Sequence, residues 1–326
     1  MKRVVRALLP SDSVRVAAID LGTNTTRLLV ADVADGLVDD VSRRTTITRL
    51  GEGVDSRRKL LPLPIARVRN CLADYRRELE GLGAERTLLV ATSAVREADN
   101  GEAFLGEIEW SYGFATRLLS GDEEAALTLE GVANGRVLIP DTVVVDIGGG
   151  STELISAGYR LSMELGSVRL TERFLHSDPP DADELDAMRS AVRSVLAEQV
   201  SDVLTARRGI GVAGTVTSLA ALDLGLVDYD PERVHGHLLS SAAVQHQLDR
   251  LATLPLAERR EVPGLEPERA PVIVAGAALL LETMRYLGLD ELEVSERDLL
   301  DGAALEAAEL PEPVEGDAPP GAYTCC

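Results

Sequence analysis

VVVDIGGGSTELIS, residues 143–156, ends an apolar run on an aspartate and follows it with three glycines and two hydroxyl residues. AAIDLGTNTTRLLV, residues 17–30, aligns with it without a gap, setting Asp20 on Asp146, Gly22 on Gly148, Thr25 on Ser151 and Thr26 on Thr152. Each stretch reads as a strand, a Gly-bearing turn and a returning strand. An aspartate that closes a buried strand is costly to desolvate unless a cation or hydrogen-bond donors meet it. Gly and small hydroxyl residues just after it let the backbone approach a ligand and offer amides to phosphate oxygens. A single such turn is explained well enough as a tight hairpin with a locally bonded Asp. Two in register, 126 residues apart, predict facing phosphate loops in a cleft between two lobes. No G-x-x-x-x-G-K-[ST] pattern occurs, so the device is not a P-loop.

Outward from the hairpins, strand and helix patterns alternate, as in an α/β protein. The first hairpin takes strands at 14–20 and 27–33 with a turn at 21–26. After it come a basic loop, a helical pattern at 64–81, a strand over RTLLVATSAVR (86–96), a helix near 100–112, and the acid-led helix DEEAALTLEGV. Gly135 and Pro140 punctuate a linker at 134–141. Beyond the second hairpin the pattern gives a helix at 181–208, a strand, Gly turn and helix over RGIGVAGTVTSLAALDLG, and helices at 240–253 and 270–288. The 326 residues accommodate two cores, and the expected division is 1–138, 139–310 and a disordered Pro- and acid-rich tail, 311–326.

Composition narrows the function classes. Hydrophobic and charged contents of 45% and 27% are those of an ordinary globular chain, and 3% aromatic residues argue against a nucleic-acid surface built on base stacking. The longest apolar run, APVIVAGAALLL (270–281), is too short to span a bilayer and reads as a buried helix. Cys71, Cys325 and Cys326 give neither a disulfide framework nor metal-ligand spacing, and no apolar signal region opens the chain, so a cytoplasmic protein is expected. The net charge of −21 is unevenly spread: residues 1–100 hold 17 Lys and Arg against 14 Asp and Glu, and the other 226 hold 16 against 40. A polyanionic ligand would therefore meet its friendlier field on the first lobe, around Arg43, Arg44, Arg49, Arg57, Arg58 and Lys59, although any one of these is accounted for as solvated surface.

The two hairpins resemble those of the acetate and sugar kinase, Hsp70 and actin superfamily, whose paired ribonuclease H-like lobes clasp phosphates. More narrowly, AAIDLGTNTTRLLV, RLGEG (49–53), ATSAVREADN (91–100), LSGDEEAALTLEG (119–131), VVDIGGGSTEL and VHGHLLS (234–240) resemble the exopolyphosphatase and guanosine pentaphosphate phosphatase family, in order from about residue 14 to 305. The resemblance implies a two-lobed actin-like ATPase fold, a homodimer, and Mg2+-assisted removal of a terminal phosphate from inorganic polyphosphate, or of the γ-phosphate from pppGpp, with no nucleic-acid or membrane partner. By position it implies Glu124, Asp146 and Arg96 as catalytic residues, Glu124 orienting or deprotonating the attacking water and Arg96 holding the terminal phosphate together with the loops. Phosphate loops fall on Gly22, Thr23, Asn24 and Thr25, on Gly148, Gly149, Gly150 and Ser151, and on Gly214 and Thr215; metal ligands fall on Asp20, Asp146 and Glu153.

The chain departs from the family pattern at three places. Ala213 stands where many relatives have Gly, DLLDG (298–302) stands for GLREG with loss of its arginine, and no His-Asp dipeptide marks the HD-type domain of long members. The last point leads to an expectation of short polyphosphate chains. Glu123 and Glu124 both suit a helix N-terminus, and only the motif singles out Glu124. His235 and His237, without a third ligand nearby, read as turn or interlobe residues rather than a metal pair. An ATP-dependent kinase and a phosphate or nucleotide sensor share the loops; the kinase would need an acceptor, and a sensor has no need of a base at Glu124.

Overall fold

The computed structural model describes residues 13–201, 204 and 206–311. Residues 312–326 of the expected tail, with Cys325 and Cys326, lie outside the described residues.

The duplication seen in the sequence is present in the sheets. In the first, β1 (Val14–Leu21), β2 (Thr25–Ala34), β3 (Leu37–Ile47), β4 (Arg86–Ala91) and β5 (Ala115–Leu118) lie in the order β3-β2-β1-β4-β5. The first three strands run antiparallel, and β4 and β5 continue parallel to β1. In the second, β6 (Thr142–Ile147), β7 (Thr152–Ser156), β8 (Tyr159–Met163), β9 (Arg208–Val212), β10 (Leu238–Ser240) and β11 (Glu291–Val294) lie in the order β10-β11-β9-β6-β7-β8. Without the antiparallel edge strand β10 this is the order of the first sheet again, with the same directions. The fold is thus α/β with two lobes of ribonuclease H-like topology.

Strand alternation decides what each face carries. Ala17, Ile19 and Leu21 of β1 enter a core with Val68, Leu72 and Tyr75 of the Pro62–Leu82 helix and Phe104 and Ile108 of the Gly101–Tyr112 helix. Val16 and Ala18 face the other way, onto Leu300, Ala303 and Ala307 of the Leu299–Glu309 helix. In the second sheet Val143, Val145 and Ile147 enter the largest core, with the Ile273–Leu287 helix, whose residues are buried from Ile273 to Met284. Val144 faces Ala125 and Val132 of the Gly121–Ala133 helix. The two helices between the sheets pack on each other where neither backbone bears a side chain: a Cβ on Gly131 would overlap the Asp298 carbonyl, and one on Gly302 the Leu127 carbonyl. The Leu299–Glu309 helix, which follows the second sheet in the chain, therefore packs on the first.

Three local expectations are corrected. RTLLVATSAVR is strand only as far as Ala91, then turns into the Ser93–Glu97 helix. The 181–208 helix ends at Gln199, because β9 must start at Arg208 to pair with Thr142. The first turn is shorter than 21–26, since β1 includes Leu21 and β2 begins at Thr25.

The lobes are held together beside the hairpins. Arg169, 5% exposed, reaches from the Ser167–Phe174 helix to Asp55 and Glu97 of the first lobe, and its Nε donates to the Gly150 carbonyl at 2.9 Å. Arg173 adds a fork on Asp55 at 2.5 Å, and the Gly53 amide donates to Glu172 at 3.0 Å. No helix among the described residues is long and apolar enough to cross a membrane.

Candidate active site

Asp20 and Asp146 follow Ala18 and Val144 on the faces turned to the layer between the sheets, so strand periodicity aims both carboxylates at one place. The cross-strand partner of Asp20 is Arg27 and that of Asp146 is Glu153, each on the same face as its partner. Glu124, on the Gly121–Ala133 helix, enters the same layer from between the sheets. The four acids are buried: Asp20 3%, Glu124 7%, Asp146 8% and Glu153 1% exposed.

Burial of so many like charges raises their pKa values. Loss of water pushes Glu124 up to about 7, against the favourable charge of Arg96, with Asp20 adding to the rise. Asp146 goes to about 8, chiefly through burial and then through the charges of Asp298 and Glu124. Burial followed by the Glu124 and Asp146 charges raises Glu153 well above the carboxylate range, and burial raises Asp20 against the pull of Arg27. The Ser162 hydroxyl donates to Glu153 at 2.7 Å, and the Ser151 side chain bonds it as well, both opposing the rise. Glu123, beside Glu124, differs in every respect. It forms a capping box with Ser120, takes Arg117 at 2.6 Å, and is lowered to about 2 by those bonds.

The two loops close the same turn: the Gly22 amide donates to the Thr25 carbonyl at 2.9 Å and the Gly148 amide to the Ser151 carbonyl at 3.1 Å. Gly149 and Gly150 let the second loop rest on the first, for a Cβ on Gly149 would stand 3.0 Å from that of Thr23 and one on Gly150 would strike the Ser93 hydroxyl. Among the described residues, none accepts a hydrogen bond from the amides of Thr23, Asn24, Gly149 or Gly150. Beside the loops opens a cavity of about 570 Å3 lined by Asp20, Gly22–Thr25, Glu124, Asp146, Gly148–Ser151, Gly214 and Thr215. Of the candidate site residues, Arg96 and Glu153 do not line it, and of the basic field noted in the sequence Arg44, Arg49, Arg57, Arg58 and Lys59 do not either. Arg96 instead donates to the Leu119 carbonyl at 2.6 Å and to Glu124 Oε2 at 3.1 Å, so it holds the glutamate from behind.

The cavity wall also includes Arg43, from the basic field noted in the sequence, and Arg27, Arg269, Tyr229 and Asp298, which the sequence patterns do not select for the site. Arg27 joins Asp20 to Asp298, and Arg43 is tied to Asp40 and Asp301. Arg269 lies over the Gly214 turn, where any Cβ would strike its guanidinium, and is steadied by Glu266 at 3.0 Å. Ala213, just before that turn, holds φ at +68°, the left-handed conformation that glycine takes without strain. The arginine absent from DLLDG is replaced by buried Leu300. His235 Nδ1 accepts from the Glu296 amide at 3.2 Å and His237 bonds Asp223 at 2.7 Å, and neither lines the cavity.

Among the described residues no three His, Cys, Asp or Glu are gathered closely enough to hold a metal on their own. One oxygen does call for a cation: Asp20 Oδ1 is buried without a hydrogen-bond partner. A hard cation that takes one or two carboxylates and completes its shell with phosphate oxygens and water fits this arrangement.

Residues 29–309 match the sequence model of the Ppx/GppA phosphatase family. The chain is 41% identical over 315 residues to exopolyphosphatase 2 of Mycobacterium tuberculosis, covering 90% of this chain and 98% of that one. Among solved structures, an exopolyphosphatase-like protein superposes with a TM-score of 0.84 at 34% identity, over 90% of this chain and 97% of its own. The Aquifex aeolicus PPX-GPPA enzyme superposes with a TM-score of 0.75 at 31% identity, over 90% and 99% of the two chains.

Proposed function

Since the chain belongs to the Ppx/GppA phosphatase family, we propose that it is an exopolyphosphatase, releasing terminal orthophosphate from inorganic polyphosphate by attack of water. The observation that carries this reading is Glu124: a carboxylate on the cavity wall, fixed by Arg96, with a pKa of about 7 that suits it to exchange a proton with water at neutral pH.

Phosphoryl transfer asks a protein mainly for positioning and charge stabilisation. The free amides of Thr23, Asn24, Gly149 and Gly150 in the two loops, with Gly214 and Thr215 on the same cavity wall, hold the terminal phosphate oxygens. Glu124 accepts the proton of the attacking water as its oxygen bonds to phosphorus and the bond to the bridging oxygen breaks. The products are orthophosphate and a chain one unit shorter. Arg96 serves by orienting Glu124. Asp20, through its free Oδ1, and Asp146 would hold Mg2+, with Glu153 behind Asp146. When bound, the cation neutralises charge on the phosphate oxygens.

In this reading an N-terminal lobe, residues 1–138, and a C-terminal lobe, 139–310, enclose the site in a cytoplasmic homodimer. The deciding assay measures phosphate release in parallel from short polyphosphate, long polyphosphate, pppGpp and ATP, with and without Mg2+. Turnover of polyphosphate dependent on the cation is the expected result. Release from pppGpp alone would reassign the protein to the other activity for which the family is named, and a monomeric mass in light scattering would remove the dimer.

A further inference from the structure

Two arginines stand opposite two aspartates on the β1–β2 ladder, Arg15 opposite Asp32 and Arg27 opposite Asp20. Arg15 closes a fork, with Nε on Asp32 Oδ1 and Nη2 on Oδ2, both at 2.8 Å, so both carboxylate oxygens are satisfied. That is the favoured geometry for this pair of groups. Arg27 makes a different arrangement from the same chemistry. Its Nε and Nη2 converge on the single oxygen Oδ2 of Asp20, at 2.9 and 2.8 Å, and its Nη1 donates to Asp298 Oδ2. Asp20 Oδ1 is left buried and unpaired, a costly condition for a carboxylate oxygen.

Asp298 is fixed where it can hold Arg27 off the fork. Its Oδ1 accepts from the Leu300 amide at 3.0 Å as the cap of the Leu299–Glu309 helix, and its carbonyl is pressed against Gly131 of the neighbouring helix. Neither contact leaves the carboxylate free to follow the guanidinium. The residue also lies in the DLLDG segment, where this chain departs from the GLREG pattern.

We propose that Asp298 is a positioning residue that holds Arg27 on Asp20 Oδ2 alone and so keeps Asp20 Oδ1 open as a ligand oxygen for a divalent cation. This deepens the proposed function and rests on it for the cation's purpose, although its test needs no turnover.

The probe is Mn2+ titrated into the full chain without substrate, with free metal read by electron paramagnetic resonance and folding checked by thermal melts. Asp298→Asn is expected to weaken Mn2+ binding about tenfold, the lower end of what loss of a ligand-orienting partner costs. Asp298→Ser, which retains a capping hydroxyl, should do the same, while Asp32→Asn on the distant fork should leave affinity unchanged. Loss of a nearby negative charge alone would also weaken binding, so the deciding variant is Arg27→Lys, whose ammonium cannot fork. In that background Asp298→Asn should cost less than about threefold, because the tenfold loss of the parent came from the closing fork. A tenfold loss that persists in the Arg27→Lys background overturns the proposal, as does unchanged affinity in folded Asp298 variants or a wild-type chain that takes up no Mn2+. If Mn2+ binding behaves as expected but polyphosphate is not hydrolysed, the proposed function fails and the role of Asp298 stands.

Discussion

Glu123 gives its carboxylate to the Ser120 cap and to Arg117, whereas Glu124, one residue on, is turned into the layer between the sheets against Arg96. Glu124→Gln keeps the length of the side chain but cannot take a proton at neutral pH, so kcat should fall by roughly 10² to 10⁴ while KM stays level or drops. Glu123→Gln, measured beside it, should cost stability and leave kcat nearly unchanged; the reverse ranking would remove Glu124 from its role. Ala213 invites the opposite kind of change. Its φ of +68° carries the strain of a Cβ in left-handed backbone, so Ala213→Gly should stabilise the fold by about 1 kcal/mol, read as a rise in denaturation midpoint at constant m-value. Asp20 and Asp146 are legible in the sequence because each closes a strand before a Gly-bearing turn, whereas Glu124 is told from Glu123 only by the resemblance of its motif to the family's. Arg27 and Asp298 are not legible, since their partnership spans two distant segments and Arg27 by itself is one more arginine in a chain rich in them.

At the scale of elements, the crossing of the Gly121–Ala133 and Leu299–Glu309 helices brings Glu124 and Asp298 into one layer. Two glycines set the closeness of that crossing. Gly302→Ala would drive a methyl into the Leu127 carbonyl, and overpacking of a rigid contact costs about 1–3 kcal/mol. Gly106, exposed in the Gly101–Tyr112 helix with open space beyond its Cα, is the matched control: Gly106→Ala should stabilise by about 1 kcal/mol through helix propensity. Chemical denaturation of both variants checks the pair, and equal effects would mean that the helices separate at little cost. Hairpins and the buried 270–288 helix can be read from local periodicity. The docking of Leu299–Glu309 on the first sheet cannot, because periodicity marks an apolar face without saying which sheet covers it, and chain order suggests the nearer one. The strand expected over 86–96 runs too long for a related reason: Ser93, Ala94 and Val95 are buried, and buried short runs look alike in helix and strand.

Across the whole molecule, a chain of net charge −21 concentrates buried acid between its lobes, and this gives its stability an unusual dependence on pH. Folding raises Glu124 from 4.5 to about 7 and Asp146 from 3.8 to about 8, chiefly by burial, and raises Asp20 and Glu153 in the same direction. A carboxyl group raised in this way binds more protons folded than unfolded, so its contribution is complete below the unfolded value and is lost as pH climbs through the folded one. Asp298 and Asp55 are shifted downward and lose their contribution on acidification instead, below the ordinary carboxylate range. Burial lowers His235 from 6.5, which adds stability as pH rises toward that value. The raised group therefore decides the slope between about pH 7 and pH 8.5, where without divalent cations the melting temperature should fall as pH rises. A cation that binds only the folded chain stabilises it by mass action and occupies the place of the protons, so millimolar Mg2+ should raise the melting temperature more at the alkaline end than at the acid end. Asp146→Asn removes the acid raised to about 8 and should flatten both dependences. Melting curves recorded in EDTA and in Mg2+ test the argument directly: a melting temperature that climbs with pH in EDTA, or a Mg2+ increment that does not grow with pH, would mean that these carboxylates are not the cation's seat.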